Sequence, residues 1–246
     1  MPDIYVLFNS LNGKDVLIAF LAFLSVFPWA FVLFAYQPSP NKRKLLLAFL
    51  ALCLGILSTK LILSLHEIIW PKVDMKPVKS FYVLKQTVHL AFIQAGVIEE
   101  TFKILFILIL SFIFAYHFKS FKWNIDVVII AGFVALGFSL IENFIYLKKT
   151  GDGRLWNMFT GRALYSSNIH LLINLSFSIF LLKSNINIGR RITYPIMGFL
   201  LAIFQHGVVD FFLIPHSRIG SWLATALFVG IWVWVVRELR AYVYKT

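Results

Sequence analysis

The 246-residue chain is 60% apolar and only 14% charged, whereas soluble domains carry about 25% charged residues. A water-soluble fold of this size has no means of hiding so much apolar surface. The formal charge of +12 sits mostly in short connections such as Lys42-Arg43-Lys44 and Arg190-Arg191, which assigns it to lipid headgroups. No nucleic-acid module is visible, and no nucleic-acid partner is expected. The one cysteine, Cys53, excludes an intrachain disulfide and a Cys-based zinc site; it reads as a packing residue.

The apolar residues fall in blocks, many long enough to cross a hydrocarbon core, which takes roughly 20 helical residues. The expected fold class is therefore all-α: a polytopic integral membrane bundle of about seven transmembrane helices, eight if the third block divides. The first span is expected at 16–36, with a kink at Pro28, and the second at 45–65, ending before His66-Glu67. A polar loop with Pro71, Pro77 and three lysines follows at 66–80. The stretch 81–118 has no proline and only Gly96; its spanning part is placed at 88–117. The remaining spans are placed at 125–147, 160–182, 192–213 and 221–241, with Pro215 and Gly220 in the last turn. The N-terminus lacks a basic n-region and carries Asp3, so no cleavable signal peptide is expected. The chain reads as one membrane domain, 1–246. With the termini on opposite faces, the face holding 37–44, 118–124, 183–191 and the C-terminus carries 11 Lys or Arg against nine on the other. That bias favours N-out, C-in.

A carboxylate at bilayer depth costs roughly a few kcal/mol on insertion scales and tends to mark function. Four of the eleven acids lie deep within the spans: Glu99, Glu100, Glu142 and Asp210. Lys103, His170 and His206 accompany them. Glu99 with Lys103, and His206 with Asp210, are each four apart and share a helix face. Following alternate span directions at 1.5 Å per residue, all of them fall between mid-membrane and one face. Independent structural charges would have no reason to share a leaflet. Each has a structural alternative: an ion-pair network for Glu99, Glu100 and Lys103, a bundle hydrogen bond for His170, a local pair for His206 and Asp210. Glu142 is the hardest to explain passively, because no basic residue lies within a turn of it.

The group offers carboxylates and imidazoles without an evident serine or cysteine nucleophile, so the nucleophile it suits is water. A glutamate can act as general base, and a histidine can orient water, stabilise an oxyanion or bind metal. Catalytic zinc commonly takes three protein ligands plus water, and Glu142, His170 and His206 are the metal candidates. The same residues permit metal-free hydrolysis. HExxH spacing is absent, since His66-Glu67 is followed by Ile68-Ile69-Trp70.

Four motifs in order resemble the PrsW family of intramembrane proteases, within the wider CAAX-protease (Rce-type) group. They are Glu99-Glu100-Thr101-Phe102-Lys103 (EExxK); Phe138 through Glu142-Asn143 with trailing Tyr146 (FxxxEN); Arg162 and His170, eight apart; and His206 through Asp210 (HxxxD). The resemblance covers 85–215, the motif-bearing core. It implies a membrane-embedded endopeptidase of the bacterial cell membrane acting on a membrane-bound protein or peptide, with site-one cleavage of an anti-sigma factor as the family precedent. It implies that Glu99 or Glu100 activates water and that Glu142 and His206 complete the core. Asp210 would orient His206, and His170 would be a fourth member. Lys103 or Arg162 would balance the carboxylates, and Asn143, Tyr146 and Phe138 would support the site. It leaves zinc and metal-free chemistry both open. The competing readings are a proton-coupled transporter, against which the chain shows no inverted repeat, and a non-catalytic membrane scaffold.

Overall fold

The computed structural model describes residues 13–37, 40–69, 80–186, 188–215 and 217–243. Among the described residues, seven helices make the bundle. They are α1 (Gly13–Ala35), α2 (Lys42–Ile69), α3 (80–114), α4 (Asp126–Lys149), α5 (155–183), α6 (Thr193–Leu213) and α7 (Arg218–Val243). All but α3 are long and apolar enough to cross a membrane. The third helix carries the Glu99–Lys103 charges and changes winding partway along.

The expected spans agree with the helices to within a few residues, except that the third helix begins at Ser80 rather than 88, and two further differences stand out. The second helix does not stop before His66; it runs to Ile69, and the rest of the expected 66–80 loop lies outside the described residues. Helix α1 runs through Pro28 as a single element, as the expected first span does. A short antiparallel hairpin, β1 (Tyr116–His117) and β2 (Lys122–Trp123), replaces the end of the expected third span. Its Tyr116 and Trp123 rings lie 4.6 Å apart, and Asn185 closes it by bonding both the Trp123 amide (2.8 Å) and carbonyl (2.7 Å).

Helices α4 and α5 are the centre of the bundle: 72% and 78% of their apolar stretches are buried, against 22–39% for the other spanning helices. The outer helices turn large side chains such as Phe20, Phe31, Leu200 and Trp222 outward, as lipid contact requires. Cys53, expected to pack inside, is exposed on α2.

Helices α2 and α4 make the most extensive pairing in the bundle, and glycine permits it. A Cβ on Gly55 would stand 2.1 Å from the Val134 carbonyl oxygen, and one on Gly137 would stand 2.1 Å from the Leu52 carbonyl oxygen. Small residues let membrane helices approach backbone to backbone, and two facing glycines lock α4 against α2. Neither clash can be relieved by a side-chain rotation, because the opposing atoms are main chain. Gly137→Leu is accordingly expected to lower stability by at least the roughly 1–3 kcal/mol typical of overpacking. Thermal unfolding in detergent would read this, with Gly161→Leu, at an open position, as the near-neutral control.

Candidate active site

Two helices change winding where they carry functional residues. In α3 the segment His89–Glu99 is π-helical, and regular α-helix resumes at Glu100. In α5 the segment Arg162–Ser166 is π-helical, between Leu155–Gly161 and Ser167–Lys183. Such segments re-aim side chains and frequently occur at functional sites. The irregular backbone is supported by side chains. The Thr101 hydroxyl donates to the Val97 carbonyl at 2.6 Å, and the Trp29 indole of α1 donates to the Ala163 carbonyl at 2.7 Å.

Glu100 and Lys103 have no exposed side-chain surface and pair at 2.5 Å. Lys103 also lies 3.8 Å from Glu99 Oε2 and 4.2 Å above the Phe138 ring. Its Nζ is 3.3 Å from His170 Nδ1. An ammonium only donates, so Nδ1 of His170 is the acceptor and its proton sits on Nε2. That Nε2 donates to Glu142 Oε2 at 2.9 Å. Glu142 gains its counter-charge from another helix, through an ion pair with Arg162. The Arg162 Nε donates to Asn143 Oδ1 at 2.6 Å, and its guanidinium stacks 4.3 Å from the Tyr146 ring. Asn143 is fixed in turn by donating to Ser25 Oγ (2.6 Å) and Ser167 Oγ (2.8 Å).

The sixth helix joins through His206, whose Nδ1 lies 2.7 Å from Glu100 Oε1. The carboxylate accepts, so Nδ1 carries the proton and Nε2 of the neutral ring keeps a lone pair. Asp210 was expected to orient His206. It does not hydrogen-bond the ring: its Oδ2 is 3.7 Å from Nε2, beyond bonding distance. Glu100 holds the imidazole instead, because the ring turns toward the buried side of α6 while Asp210 stays 32% exposed. The His170 and His206 rings meet edge-on at 5.0 Å.

All the residues expected at the site are thus brought together, and both Lys103 and Arg162 balance carboxylates. Asn174 is an addition: it donates weakly to Glu100 Oε2 (3.4 Å) and to the His170 carbonyl (3.1 Å). Its place on the polar stripe of α5, one turn after His170, was the signal for it. Ser25 had no sequence signal, lying in an otherwise apolar span.

Glu99 and Glu100 are adjacent, yet successive helical residues point about 100° apart. Glu100 turns inward and is saturated by Lys103, His206 and Asn174. Glu99 is 19% exposed on its side chain, and its Oε2 is buried with no hydrogen-bond partner among the described residues. That orphaned oxygen lies 3.9 Å from His206 Nε2. Glu99, His170 and His206 can bring one donor atom each within 4.8 Å of one another, and two imidazoles with one carboxylate are a donor set of catalytic zinc. Glu99 Oε2 and His206 Nε2 are unengaged as they stand; His170 would exchange one of its protein partners. The residues therefore fit a divalent metal, through a set in which Glu99 replaces the expected Glu142, whose Oε2 is held by Arg162 and His170.

The fold and site define a polytopic membrane protein with a carboxylate–imidazole centre between α3, α4, α5 and α6. Residues 42–236 match the PrsW family intramembrane metalloprotease, and the chain belongs to that family. It is similar to Protease PrsW of Clostridioides difficile (strain 630), 29% identical over 159 residues, which cover 64% of this chain and 65% of that protein. It is also similar to Protease PrsW of Geobacillus kaustophilus (strain HTA426), 27% identical over 150 residues, 61% and 63% of the respective lengths. The matched stretch spans slightly less than two thirds of these relatives. No solved structure matches.

Breaking a buried ion pair by removing one partner costs about 3–5 kcal/mol. Lys103→Met is expected to destabilise the detergent-solubilised protein by that order. Lys103→Met/Glu100→Leu should recover part of the loss, because the fully buried Glu100 carboxylate is then no longer left without its cation. Denaturation of the two single variants and the double variant gives the coupling directly.

Proposed function

We propose that the protein is an intramembrane endopeptidase that hydrolyses a peptide bond of a membrane-associated substrate with a water activated between Glu99 and His206. The observation that carries this is the unpartnered carboxylate oxygen of Glu99 facing His206 Nε2. Glu99 accepts the proton of water on the oxygen that no protein donor holds. His206 enters as the imidazolium, its Nε2 proton taken from solvent before the attack, and donates from Nε2 to the developing oxyanion, with Glu100 fixing the ring from Nδ1. The Lys103–Glu100 pair and the Arg162–Glu142 pair hold the surrounding charges in place, so little reorganisation accompanies the change in charge. A divalent metal, when bound, would be held by Glu99, His170 and His206 and would supply a Lewis acid for the same water. Glu99 then passes the proton it took from water to the departing amine as the C–N bond breaks, while Asp210, partly exposed at the rim 3.7 Å from His206 Nε2, balances the charge on the imidazolium.

In this reading residues 1–246 form one membrane domain, 85–215 is its catalytic core, and the chain sits N-out, C-in in the bacterial cell membrane. A membrane-bound anti-sigma factor is the substrate to test first, because the family resemblance points there.

Reconstituted protein given single-pass substrates is expected to yield peptide products. Glu99→Gln should lower the rate by about 10²–10⁴-fold, the usual contribution of a general base, with unfolding unchanged. Cleavage that persists in both Glu99→Gln and His206→Ala would reject the site. Ion-dependent flux without products would indicate a carrier. Exhaustive chelation followed by metal analysis separates the two chemistries: full activity with no bound metal leaves the glutamate–histidine route alone, and loss restored by zinc assigns Glu99, His170 and His206 as ligands.

A further inference from the structure

Where α4 ends and α5 begins, an open cleft of about 530 Å³ is lined by Lys149, Arg154 and Arg162 together with Thr150, Gly151, Asn157, Met158 and Gly161. No carboxylate lines it among the described residues. Arg162 is neutralised by Glu142, which leaves Lys149 and Arg154 as exposed, uncompensated cations. Nearby acids do not serve them: Asp152 is held by Lys14 at 2.5 Å and Asp15 by Lys148 at 3.1 Å. Neither Lys149 nor Arg154 has an ion-pair partner among the described residues. The floor is open, since nothing lies within 4 Å of a Cβ built on Gly151 or Gly161.

Position distinguishes this cleft from ordinary headgroup lysines. Arg162 is one of its lining residues, and the guanidinium of the same residue bonds Glu142 and Asn143. An occupant of the cleft is therefore one side chain away from the catalytic carboxylates. It lies beyond the end of α4, where the polar segment flanking a transmembrane helix would emerge from the bilayer. We propose that this cleft is a recognition subsite for acidic side chains in the polar segment that flanks a substrate's transmembrane helix. The proposal rests on the endopeptidase reading for the word substrate, and on the cleft alone for the acidic peptide. A peptide fits better than a lipid phosphate for two reasons. The cleft has room for a few residues, and the space open beside Gly151 and Gly161 lets an extended main chain lie close to the wall.

The test uses the full chain in phosphatidylcholine nanodiscs and two fluorescent single-pass peptides. They differ only in an Asp-Glu or Asn-Gln pair just outside the apolar segment. The acidic peptide is expected to bind roughly five- to tenfold more tightly at low salt, the range two exposed ion pairs supply. Raising the salt should shrink the preference. Lys149→Gln/Arg154→Gln should remove it while leaving the neutral peptide's affinity unchanged. Gly151→Leu, which keeps every charge, should weaken the acidic peptide by filling the cleft. Equal binding of both peptides by the wild type overturns the proposal, as does a preference that survives the double variant. Enrichment of spin-labelled phosphatidylglycerol that depends on Lys149 and Arg154, without peptide preference, overturns it in favour of a lipid site. Cleavage of both peptides is followed in parallel. Equal binding with cleavage rejects the cleft and keeps the protease; preferential binding with no cleavage of either peptide keeps the acidic-peptide site and rejects the protease.

Discussion

Lys103 sits among seven helices with no exposed surface, and its ammonium is reached by groups from three of them. A charge at this depth is tolerable only if its surroundings supply what water would have supplied. Glu100 neutralises it, His170 accepts one of its protons and the Phe138 ring faces it. Each of those groups is thereby oriented. Glu100, fixed by Lys103, fixes His206; His170, accepting from Lys103, is forced into the tautomer that donates to Glu142. The orientation of four functional side chains on four helices follows from placing one cation where it cannot be solvated.

The same constraint separates the roles of the paired glutamates. Their adjacency in sequence makes them look interchangeable, but a helix sends neighbouring side chains in different directions, and only one of them can face Lys103 squarely. Glu100 takes that direction and is held there with no exposed surface, its Oε1 shared by Lys103 and His206. Glu99, at the end of the π-helical segment, keeps an oxygen free and retains some access to the outside. The pair is one structural carboxylate and one available carboxylate, and burial decides which is which.

Much of this was legible in the sequence because membrane depth penalises charge so strongly. The span positions, the gathering of Glu99, Glu100, Glu142, His170 and His206, and the family resemblance all followed from asking why such residues sit in apolar blocks. What could not be read was partner choice across helices. The local pair advertised by the spacing of His206 and Asp210 is present at 3.7 Å, but the imidazole's hydrogen bond goes to Glu100, 106 positions earlier. Glu142 seemed unpartnered because its cation, Arg162, arrives from the next helix. The two π-helical segments were invisible for another reason. Neither carries a proline or a run of glycine at its centre; the first is braced by Thr101 of its own helix and the second by Trp29 of α1, a contact no local composition announces. The Cys53 expectation failed because an apolar stretch in a membrane helix has a lipid side as well as a packed side, and hydrophobicity alone does not separate them.

Helix α4 is held at both ends and along its length, and that bears on how the centre can work. At one end Asp126 is buried between Arg43 (3.3 Å) and Lys44 (3.9 Å) of α2, and Arg43 also donates to the Phe114 carbonyl at 2.9 Å. In the middle, Gly55 and Gly137 press α2 and α4 together without a side chain to slide on. Glu142 lies sixteen residues beyond Asp126, about 24 Å along the helix, so its depth is set by contacts far from it. A carboxylate so anchored cannot travel to meet a bond elsewhere in the bilayer. Any motion that admits a ligand must come from the less buried helices. Among the four that carry the centre, α6 is the candidate, with a third of its apolar stretch buried. It bears His206 and Asp210 on one side, exposes Leu200 and Phe204 on the other, and is tied to the centre by a bond from His206 to Glu100. Moving α6 would alter the Glu99–His206 gap while leaving the Lys103 and Arg162 pairs intact. The geometry that admits a ligand and the geometry that holds the charges are thereby assigned to different helices.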